Sequence, residues 1–400
     1  MKYSKNQLSN ILHENLGIHK NNCETVMDFM IAMQSARTVN LSQMSNYTRK
    51  GSKIKPLSVY KNYQRLVHGL NICKTKLAKL IVSMYDLVGC KLTIAMDRTN
   101  WKYGSKNINL LVLSICVLGT SIPIYWLELD KRGNSNTDER KQVINDVLKD
   151  FGNNAISYLL ADREFVGNDW FEYLQSNTIN FVVRIKNNFL LEHKGETVSA
   201  HKLFKPTDTI TAVTKLVKIN GITVLAQAIR SSNQELVIVI SNDLQVPNIL
   251  DIYAKRWKIE CLFGQLKTRG FNFEDTHITI QERLNNLMKL FCRIFSLYFL
   301  ALSLMPCTDI HDNHVSEGNT VAAISTNTHK DCPHEHGDDT CPPFCVCSCC
   351  GQLLFETKPT KLTTSQLPIV ADCFDEQSSF YYSENWQSTF PSSVFRPPQV

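Results

Sequence analysis

The 400-residue sequence predicts an α/β protein with a β-rich insertion in its central domain, a helical region before that domain and a tail of different composition after it. Short apolar runs alternate with helical patterns between residues 91 and 187, which is typical of a mixed sheet covered by helices. β-branched runs then fill residues about 188–245 and predict an insertion made of strands. Because the composition changes at Met288, we assign the central domain to residues 89–287 and the helical region to residues 1–88.

Helical spacing of apolar residues predicts helices throughout residues 1–88. Two of the helical runs are separated by a basic, glycine-containing segment, NYTRKGSKIKP, which favours a helix-turn-helix arrangement. The second run carries Lys61 and Arg65 beside Asn62 and Gln64, side-chain types that contact phosphates and base edges. We therefore predict that Lys61 and Arg65 bind DNA. A plain helical bundle with a basic loop would give the same pattern.

The central domain is predicted to begin with three strands in hairpin succession, KLTIAMD, INLLVLSICVLG and IPIYWLELD. A helix should follow, with Thr137 as its N-cap and Gly152 at its end. A strand, a helix and a strand come next, before the insertion. The last helix is predicted to start near Pro247 and to run without interruption to Gly270.

Two aspartates follow apolar strands: Asp97 ends TIAMD and Asp162 ends YLLAD. Side chains at the carboxyl ends of neighbouring strands can converge on one point outside the sheet. Glu260 would add a third carboxylate from the last helix, and Glu164 is a rival to Asp162 two residues further along. Three oxygen ligands without a nearby His or Cys favour Mg²⁺ or Mn²⁺ over zinc. Two such ions can hold the attacking and leaving oxygens of a phosphoryl transfer.

The last helix also predicts a functional face. On a regular helix the side chains of Tyr253, Arg256, Glu260 and Lys267 fall within an arc of about 60°. The cations of such a face can bind DNA phosphates. A salt-bridged, solvated helix face would produce the same spacing, so the helix and the two aspartates are informative only together.

Together these segments resemble the DDE transposases of bacterial insertion sequences. DRTNW, LLADREF and YAKRWKIECLFGQLK are similar to the three signature regions, and the last resembles the insertion-sequence-four branch, with its pattern Tyr-x2-Arg-x3-Glu-x6-Lys. The resemblance spans residues 20–285. It implies a ribonuclease H-like catalytic domain with a β insertion. It also implies a Mg²⁺- or Mn²⁺-dependent enzyme that binds and cleaves the terminal inverted repeats of its own element and joins the 3′-OH to target DNA.

The resemblance also implies residue roles. Asp97, Asp162 and Glu260 would be the catalytic residues and would hold two metal ions. Contacts with DNA phosphates are implied for the side chains of Tyr253, Arg256, Lys267, Arg163 and Arg98. The family implies a homodimer on double-stranded DNA, because both ends must be paired for concerted cutting. We expect a cytoplasmic, nucleoid-associated bacterial protein with no membrane function in residues 1–287.

Charge and cysteine usage divide the chain at the same place. The formal net charge is +6, but from Met288 onward six Lys and Arg stand against twelve Asp and Glu, so this part carries −6 and the preceding part +12. A basic region of this kind favours a polyanionic partner such as nucleic acid. Of the 14 cysteines, nine follow Met288. The other five are scattered singly, which is typical of a reducing compartment.

The tail resembles small exported Cys/His-rich bacterial proteins of unknown function. In residues 288–306 two cations precede a short apolar run, the layout of a secretory signal. Residues 307–400 are acidic and are expected to be largely disordered, and the cysteines of 341–350 could bind a soft or borderline metal. We interpret the chain as a composite reading frame, in which a transposase frame runs into another gene.

Two other functions are compatible with these residues. One is a different ribonuclease H-like nuclease or resolvase with the same three acids, which would not require terminal repeats. The other is an inactive composite remnant that binds DNA without catalysis, because the tail replaces the C-terminal helix usual in the family. DNA affinity that survives removal of all three acids, without any cleavage by the intact protein, would indicate the remnant.

Overall fold

The computed structural model describes residues 5–47, 54–69, 73–103, 106–129, 131–205, 212–231, 234–267, 271–272 and 287. All of them belong to one compact unit. The predictions for the signal-like segment 288–306, for disorder and metal binding in 307–400, and for a helix end at Gly270 lie outside the described residues.

The described residues form ten helices, which are α1 (Lys5–Leu16), α2 (Lys20–Ala36), α3 (Leu41–Met44), α4 (Pro56–Gly69), α5 (Lys74–Met84), α6 (Thr137–Phe151), α7 (Asn168–Ser176), α8 (Ala200–Leu203), α9 (Ile249–Ala254) and α10 (Trp257–Leu266). None of these helices is both long enough and apolar enough to cross a membrane. The strands are β1 (Leu92–Tyr103), β2 (Lys106–Val117), β3 (Thr120–Glu128), β4 (Ile156–Ala161), β5 (Asn180–Ile185), β6 (Leu190–His193), β7 (Glu196–Ser199), β8 (Val213–Ile219), β9 (Ile222–Arg230) and β10 (Leu236–Ser241).

All ten described strands form one sheet in the order β3-β2-β1-β4-β5-β10-β9-β8-β6-β7. β1, β2 and β3 are antiparallel neighbours, as predicted, while β4 and β5 run parallel to β1. β10 pairs with β5, so the strands of the predicted insertion continue the central sheet. The prediction of a mixed α/β protein is confirmed. The one-turn helix α8 was not predicted within the β-rich region.

The N-terminal helices pack through an aromatic pair. The rings of Phe29 on α2 and Tyr63 on α4 meet edge to face with their centroids 5.1 Å apart. The Tyr63 hydroxyl donates to the Asp28 carbonyl at 3.3 Å. α5 then packs on β3 and α6, so it connects this helical region to the sheet. Most of the basic segment between α3 and α4 lies outside the described residues, and the helix-turn-helix arrangement stays a prediction.

Two boundaries differ from the sequence-based expectation. α6 has Asn136 rather than Thr137 as its N-cap. The Asn136 side chain accepts from the Glu139 N–H while the Glu139 carboxylate accepts from the Asn136 N–H, a reciprocal arrangement that Thr137 does not make. Asp97 does not end its strand, because β1 continues to Tyr103 in a long hairpin with β2. What ends at Met96 is the parallel pairing with β4.

Candidate active site

The sheet register aligns the two predicted aspartates. Met96 pairs with Ala161 across β1 and β4, so Asp97 and Asp162 follow at the same level of neighbouring strands. Ala161 in turn pairs with Val183 on β5, which brings Arg184 to that level as well. Laterally adjacent residues of a sheet point to the same face. Two carboxylates and a guanidinium therefore stand in one row on one face.

The third acid comes from a helix that is interrupted, not continuous as predicted. α9 ends at Ala254 and α10 begins at Trp257. The residues between them keep helical dihedral angles, but the bonds from Arg256 N–H to the Tyr253 carbonyl (2.9 Å) and from Ile259 N–H to the Arg256 carbonyl (3.0 Å) span three residues. This is a tighter 3₁₀-type turn. α9 contacts β4, β5 and β10, whereas α10 contacts β1 and β3, so the helix pair crosses the row of charged residues.

Arg256 connects the acids. Its guanidinium donates to Asp97 Oδ2 at 3.1 Å and also to Glu260 Oε1, and its Nε donates to the Tyr253 hydroxyl at 3.1 Å. The Tyr253 hydroxyl donates to Asp162 Oδ1 at 3.3 Å. Three distant segments thus meet at one point, and we call Asp97, Asp162 and Glu260 the acid cluster. Arg256 is only 2% exposed and Tyr253 1%, so neither faces an open surface in this arrangement.

The pKa values of the three acids are shifted in different directions. Burial raises the pKa of Asp97 to about 7, although the charge of Arg256 opposes this. Burial also raises the pKa of Glu260, again against Arg256. At Asp162 the effect of burial is outweighed by the charge of Arg256, the Arg163 N–H and the charge of Arg184, so its pKa is lowered. Asp162 is therefore the acid most firmly held as a carboxylate.

The other predicted contacts surround the acid cluster. Arg98 donates to the side chains of Asn109 (3.1 Å) and Asn134 (3.3 Å) and pairs with Glu164 at 3.5 Å. Arg163 follows Asp162 and is partly exposed. Both stay predictions as phosphate contacts.

Lys267 follows α10, and its ammonium donates to the Asn100 carbonyl on β1 at 2.8 Å. Lys61 and Arg65 are exposed on α4, where Arg65 also donates to the Asn62 side chain at 3.2 Å. Their DNA contacts also stay predictions.

Arg140 on α6 holds the loop that follows Asp162. It is 5% exposed and donates to the carbonyls of Ser135 (2.8 Å) and Glu164 (2.9 Å) and to the Ser135 hydroxyl (3.0 Å). Its guanidinium also lies 5.1 Å from the ring centre of Phe165. These bonds connect the loop before α6 to the loop that carries the second aspartate.

We expect Arg140→Met to destabilise the protein, since it leaves buried carbonyl groups without a donor. The free energy of unfolding should fall by about 3 kcal/mol, measured by urea denaturation. Lys149→Met, at an exposed position of the same helix, is the matched control and should change it by about 0.5 kcal/mol or less. Equal stabilities for the two variants would contradict this role of Arg140.

Arg184 and Arg140 were missed in the sequence. Arg184 is 3% exposed, pairs with Glu235 at 2.5 Å, and its charge acts on both Asp162 and Glu260. A signal for it was available: Arg184 follows the apolar run FVV as Asp97 follows TIAM and Asp162 follows YLLA. Arg140 gave no such signal, because an arginine on an amphipathic helix is usually solvated.

The acid cluster fits a hard divalent cation by ligand chemistry but requires a movement of Arg256. All three side chains supply carboxylate oxygens, which Mg²⁺ and Mn²⁺ prefer. Within the described part of the chain, no three metal-ligating side chains are close enough to share an ion. At the acid cluster the Arg256 guanidinium pairs with both Asp97 and Glu260 and supplies the positive charge there.

Comparisons with known proteins complete the description of the site. Residues 288–400 match a family of unknown function (DUF6660). A cryo-EM structure of a piggyBac transposase synaptic complex with hairpin DNA is similar with a TM-score of 0.44 and 11% identity, over 72% of this chain and 67% of that chain. No curated protein sequence matches the chain. Residues 88–296 match the family described as Transposase DDE domain, and because this match covers more than half of the chain, the protein belongs to that family.

Proposed function

We propose that this protein is a DNA transposase of the insertion-sequence-four branch, which cleaves the ends of its element and joins the 3′-OH to target DNA. The observation that carries the proposal is the convergence of Asp97, Asp162 and Glu260 through Arg256 and Tyr253. These residues come from three segments separated by long stretches of chain. A helix face with only a structural role would have no reason to contact two aspartates of the sheet.

Asp162 rather than Glu164 is the second acid in this proposal. Asp162 accepts from Tyr253, whereas the Glu164 side chain pairs with Arg98. The strand order β3-β2-β1-β4-β5, with the first three antiparallel and the last two parallel to β1, supports a ribonuclease H-like core. The four positions of the Tyr, Arg, Glu and Lys pattern support assignment to this branch.

The acid cluster would hold Mg²⁺ or Mn²⁺, as two ions. Bound there, the ions would supply charge stabilisation at the attacking and leaving oxygens of the phosphoryl transfer. Asp97 and Glu260 must then exchange the Arg256 guanidinium for the metal. The Arg256 guanidinium would then be available to bind a phosphate of the DNA end. Lys267 and Arg163 would add further phosphate contacts.

The test of the proposal is cleavage of linear DNA that carries the flanking ends of the element. We expect Mg²⁺- or Mn²⁺-dependent cutting at the repeat border that leaves a 3′-OH, and no cutting of a control in which the repeats are scrambled. Equal cutting of both DNAs would instead indicate a ribonuclease H-like nuclease of another kind. Binding without cutting under all conditions would indicate the composite remnant.

Helix α4 is expected to supply part of the affinity for the repeats. Lys61→Ala with Arg65→Ala should weaken binding of end DNA and lower the slope of log Kd against log salt by about 2, since about 0.9 counterions are released per phosphate contact. Lys149→Ala with Lys194→Ala, which removes two other exposed cations, is the control. The role of α4 is excluded if both double variants have the wild-type salt slope.

Metal binding is expected to depend on pH through Asp97. Its pKa of about 7 in the metal-free protein means that the carboxyl is protonated below that pH, and a ligand must be ionised to bind. Mn²⁺ affinity should therefore fall by up to about tenfold per pH unit as the pH drops below about 7. Calorimetric titrations in buffers of different ionisation enthalpy would detect the released proton. An affinity that is constant across this range would contradict the prediction.

The composite nature of the chain is also proposed, and the match to a second family from residue 288 supports it. Sequencing the locus tests it. An inverted repeat that overlaps the codons near 288 would support a fusion with another gene, and an intact element whose repeat lies well beyond codon 400 would contradict it. We further propose that the enzyme acts as a homodimer on double-stranded DNA, in the cytoplasm at the nucleoid.

A further inference from the structure

Gln227 on β9 is a buried polar side chain within the β-rich insertion. It is 3% exposed and pairs with Val239 on β10, which pairs in turn with Arg184 on β5. Arg184 lies level with Asp162, so Gln227 belongs to the same row on the same face of the sheet. An amide at this depth is costly unless both of its ends are hydrogen-bonded.

Both ends of the Gln227 amide bind the start of α9. Its Oε1 accepts from the N–H groups of Ile249 (2.8 Å) and Leu250 (3.3 Å), and its Nε2 donates to the Pro247 carbonyl at 2.9 Å. Asn248 also accepts from the Leu250 N–H, at 3.2 Å. Because Asn248 belongs to the same segment as α9, it cannot fix the position of that helix relative to the sheet. Gln227 can, because it projects from a central strand.

The position of the start of α9 determines where Glu260 lies relative to Asp97 and Asp162. Tyr253 lies four residues after Ile249, about 6 Å along the helix. The 3₁₀-type turn then leads to Arg256 and Glu260. α9 is only six residues long, so a displacement at its first turn is transmitted to Tyr253 with little opportunity to be absorbed.

We propose that Gln227 is a positioning residue for Tyr253 and Glu260. It docks α9, which leads into the Glu260-bearing helix α10, on the sheet, and the insertion thereby sets the geometry of the acid cluster. This inference rests on the proposed function, since it assigns Gln227 a role in metal binding and DNA cleavage. It predicts an effect on metal affinity and on the chemical step, with little effect on DNA binding.

The test compares Gln227→Met, which removes both the donor and the acceptor, with Gln227→Glu, which keeps an acceptor for Ile249 and Leu250 but loses the donor to Pro247. Gln175→Met, at an exposed position of α7, is the control for the same substitution.

Mn²⁺ affinity is measured by titration without DNA, kcat and KM with end DNA, and folding by thermal denaturation. We expect kcat of Gln227→Met to fall by about tenfold or more with KM changed by about threefold or less, because a misplaced catalytic group costs rate more than binding. Its Mn²⁺ affinity should fall by a comparable factor, and Gln227→Glu should be intermediate.

Each outcome supports or overturns the inference. Wild-type kcat and Mn²⁺ affinity in a folded Gln227→Met variant would overturn it. If Gln227→Met does not fold, Gln227→Glu decides, and wild-type values for kcat and Mn²⁺ affinity in that variant would overturn it equally. Failure of the proposed function itself would give a different result. The wild-type protein would then not cleave end DNA, and Glu260→Gln would bind Mn²⁺ with the same affinity as the wild type.

Discussion

Replacement of any member of the acid cluster by its amide is expected to reduce cleavage of the element ends by about 10³-fold or more. An ion that stabilises the transferring phosphate contributes several kcal/mol, and each 1.4 kcal/mol corresponds to about tenfold in rate. The variants Asp97→Asn, Asp162→Asn and Glu260→Gln keep the shape of the side chain and remove its charge. Binding of end DNA should change by about threefold or less, because its affinity rests mainly on phosphate contacts with cations.

Glu172→Gln on the exposed surface of α7 is the matched control for these variants and should cleave at the wild-type rate. Rates are compared by following the 3′-OH product on labelled DNA in single-turnover reactions. Glu164→Gln separates the two candidates for the second acid and should cleave far faster than Asp162→Asn. If Glu164→Gln is inactive and Asp162→Asn is active, the assignment of Asp162 is wrong.

Arg256→Met is expected to lower the free energy of unfolding of the metal-free protein by about 3 kcal/mol, because removal of one partner leaves buried charges uncompensated. Asp97 and Glu260 would then face each other without the guanidinium that bridges them. Both carboxyls already have raised pKa values, and loss of the cation raises them further. In the folded variant these carboxyls stay protonated to a higher pH than in the wild type, whereas in the unfolded chain they are ionised. The loss of stability relative to the wild type should therefore grow as the pH rises through about 7, the pKa of Asp97 in the wild type.

A divalent cation should reverse much of this loss. A ligand present at about a hundredfold excess over its Kd stabilises a fold by about 2.7 kcal/mol, and Mn²⁺ no longer competes with Arg256 in the variant. The increase in Tm with Mn²⁺ should therefore be larger for Arg256→Met than for the wild type. Lys258→Met, which removes a positive charge from the first turn of α10, should follow the wild type. An Arg256→Met variant that is as stable as the wild type, or that gains nothing from Mn²⁺, would contradict exchange of the guanidinium for the metal.

Much of the fold could be predicted because its elements have strong local signals. The alternating strands and helices of residues 91–187 correspond to β1–β5 with α6 and α7, and the β-branched runs of the insertion correspond to β8–β10, whereas β6 and β7 match no predicted run. The continuation of β1 beyond Asp97 could not be predicted from its apolar run, since it depends on pairing with β2. The interruption between Ala254 and Trp257 was also missed, because YAKRW has no Gly or Pro and its residues remain helical in dihedral angle.

The acid cluster could be proposed from strand ends and helix spacing, but the state of its side chains could not. The spacing of Tyr253, Arg256 and Glu260 indicates a shared face, and it does not reveal that Arg256 points into the carboxylates. Arg184 and Gln227 are brought to the same row by strand order, which is a property of the whole sheet. No local pattern encodes that a polar residue in β5 and another in β9 will lie in the same row as Asp162.

The most direct test of the central claim is a crystal structure of the protein with end DNA and Mn²⁺, with anomalous diffraction used to locate the ions. We predict anomalous peaks coordinated by Asp97, Asp162 and Glu260, and an Arg256 guanidinium that has left the two carboxylates for a DNA phosphate. Ions bound elsewhere, with Arg256 still bridging Asp97 and Glu260 in the presence of DNA, would contradict the assignment of the acid cluster as the catalytic metal site.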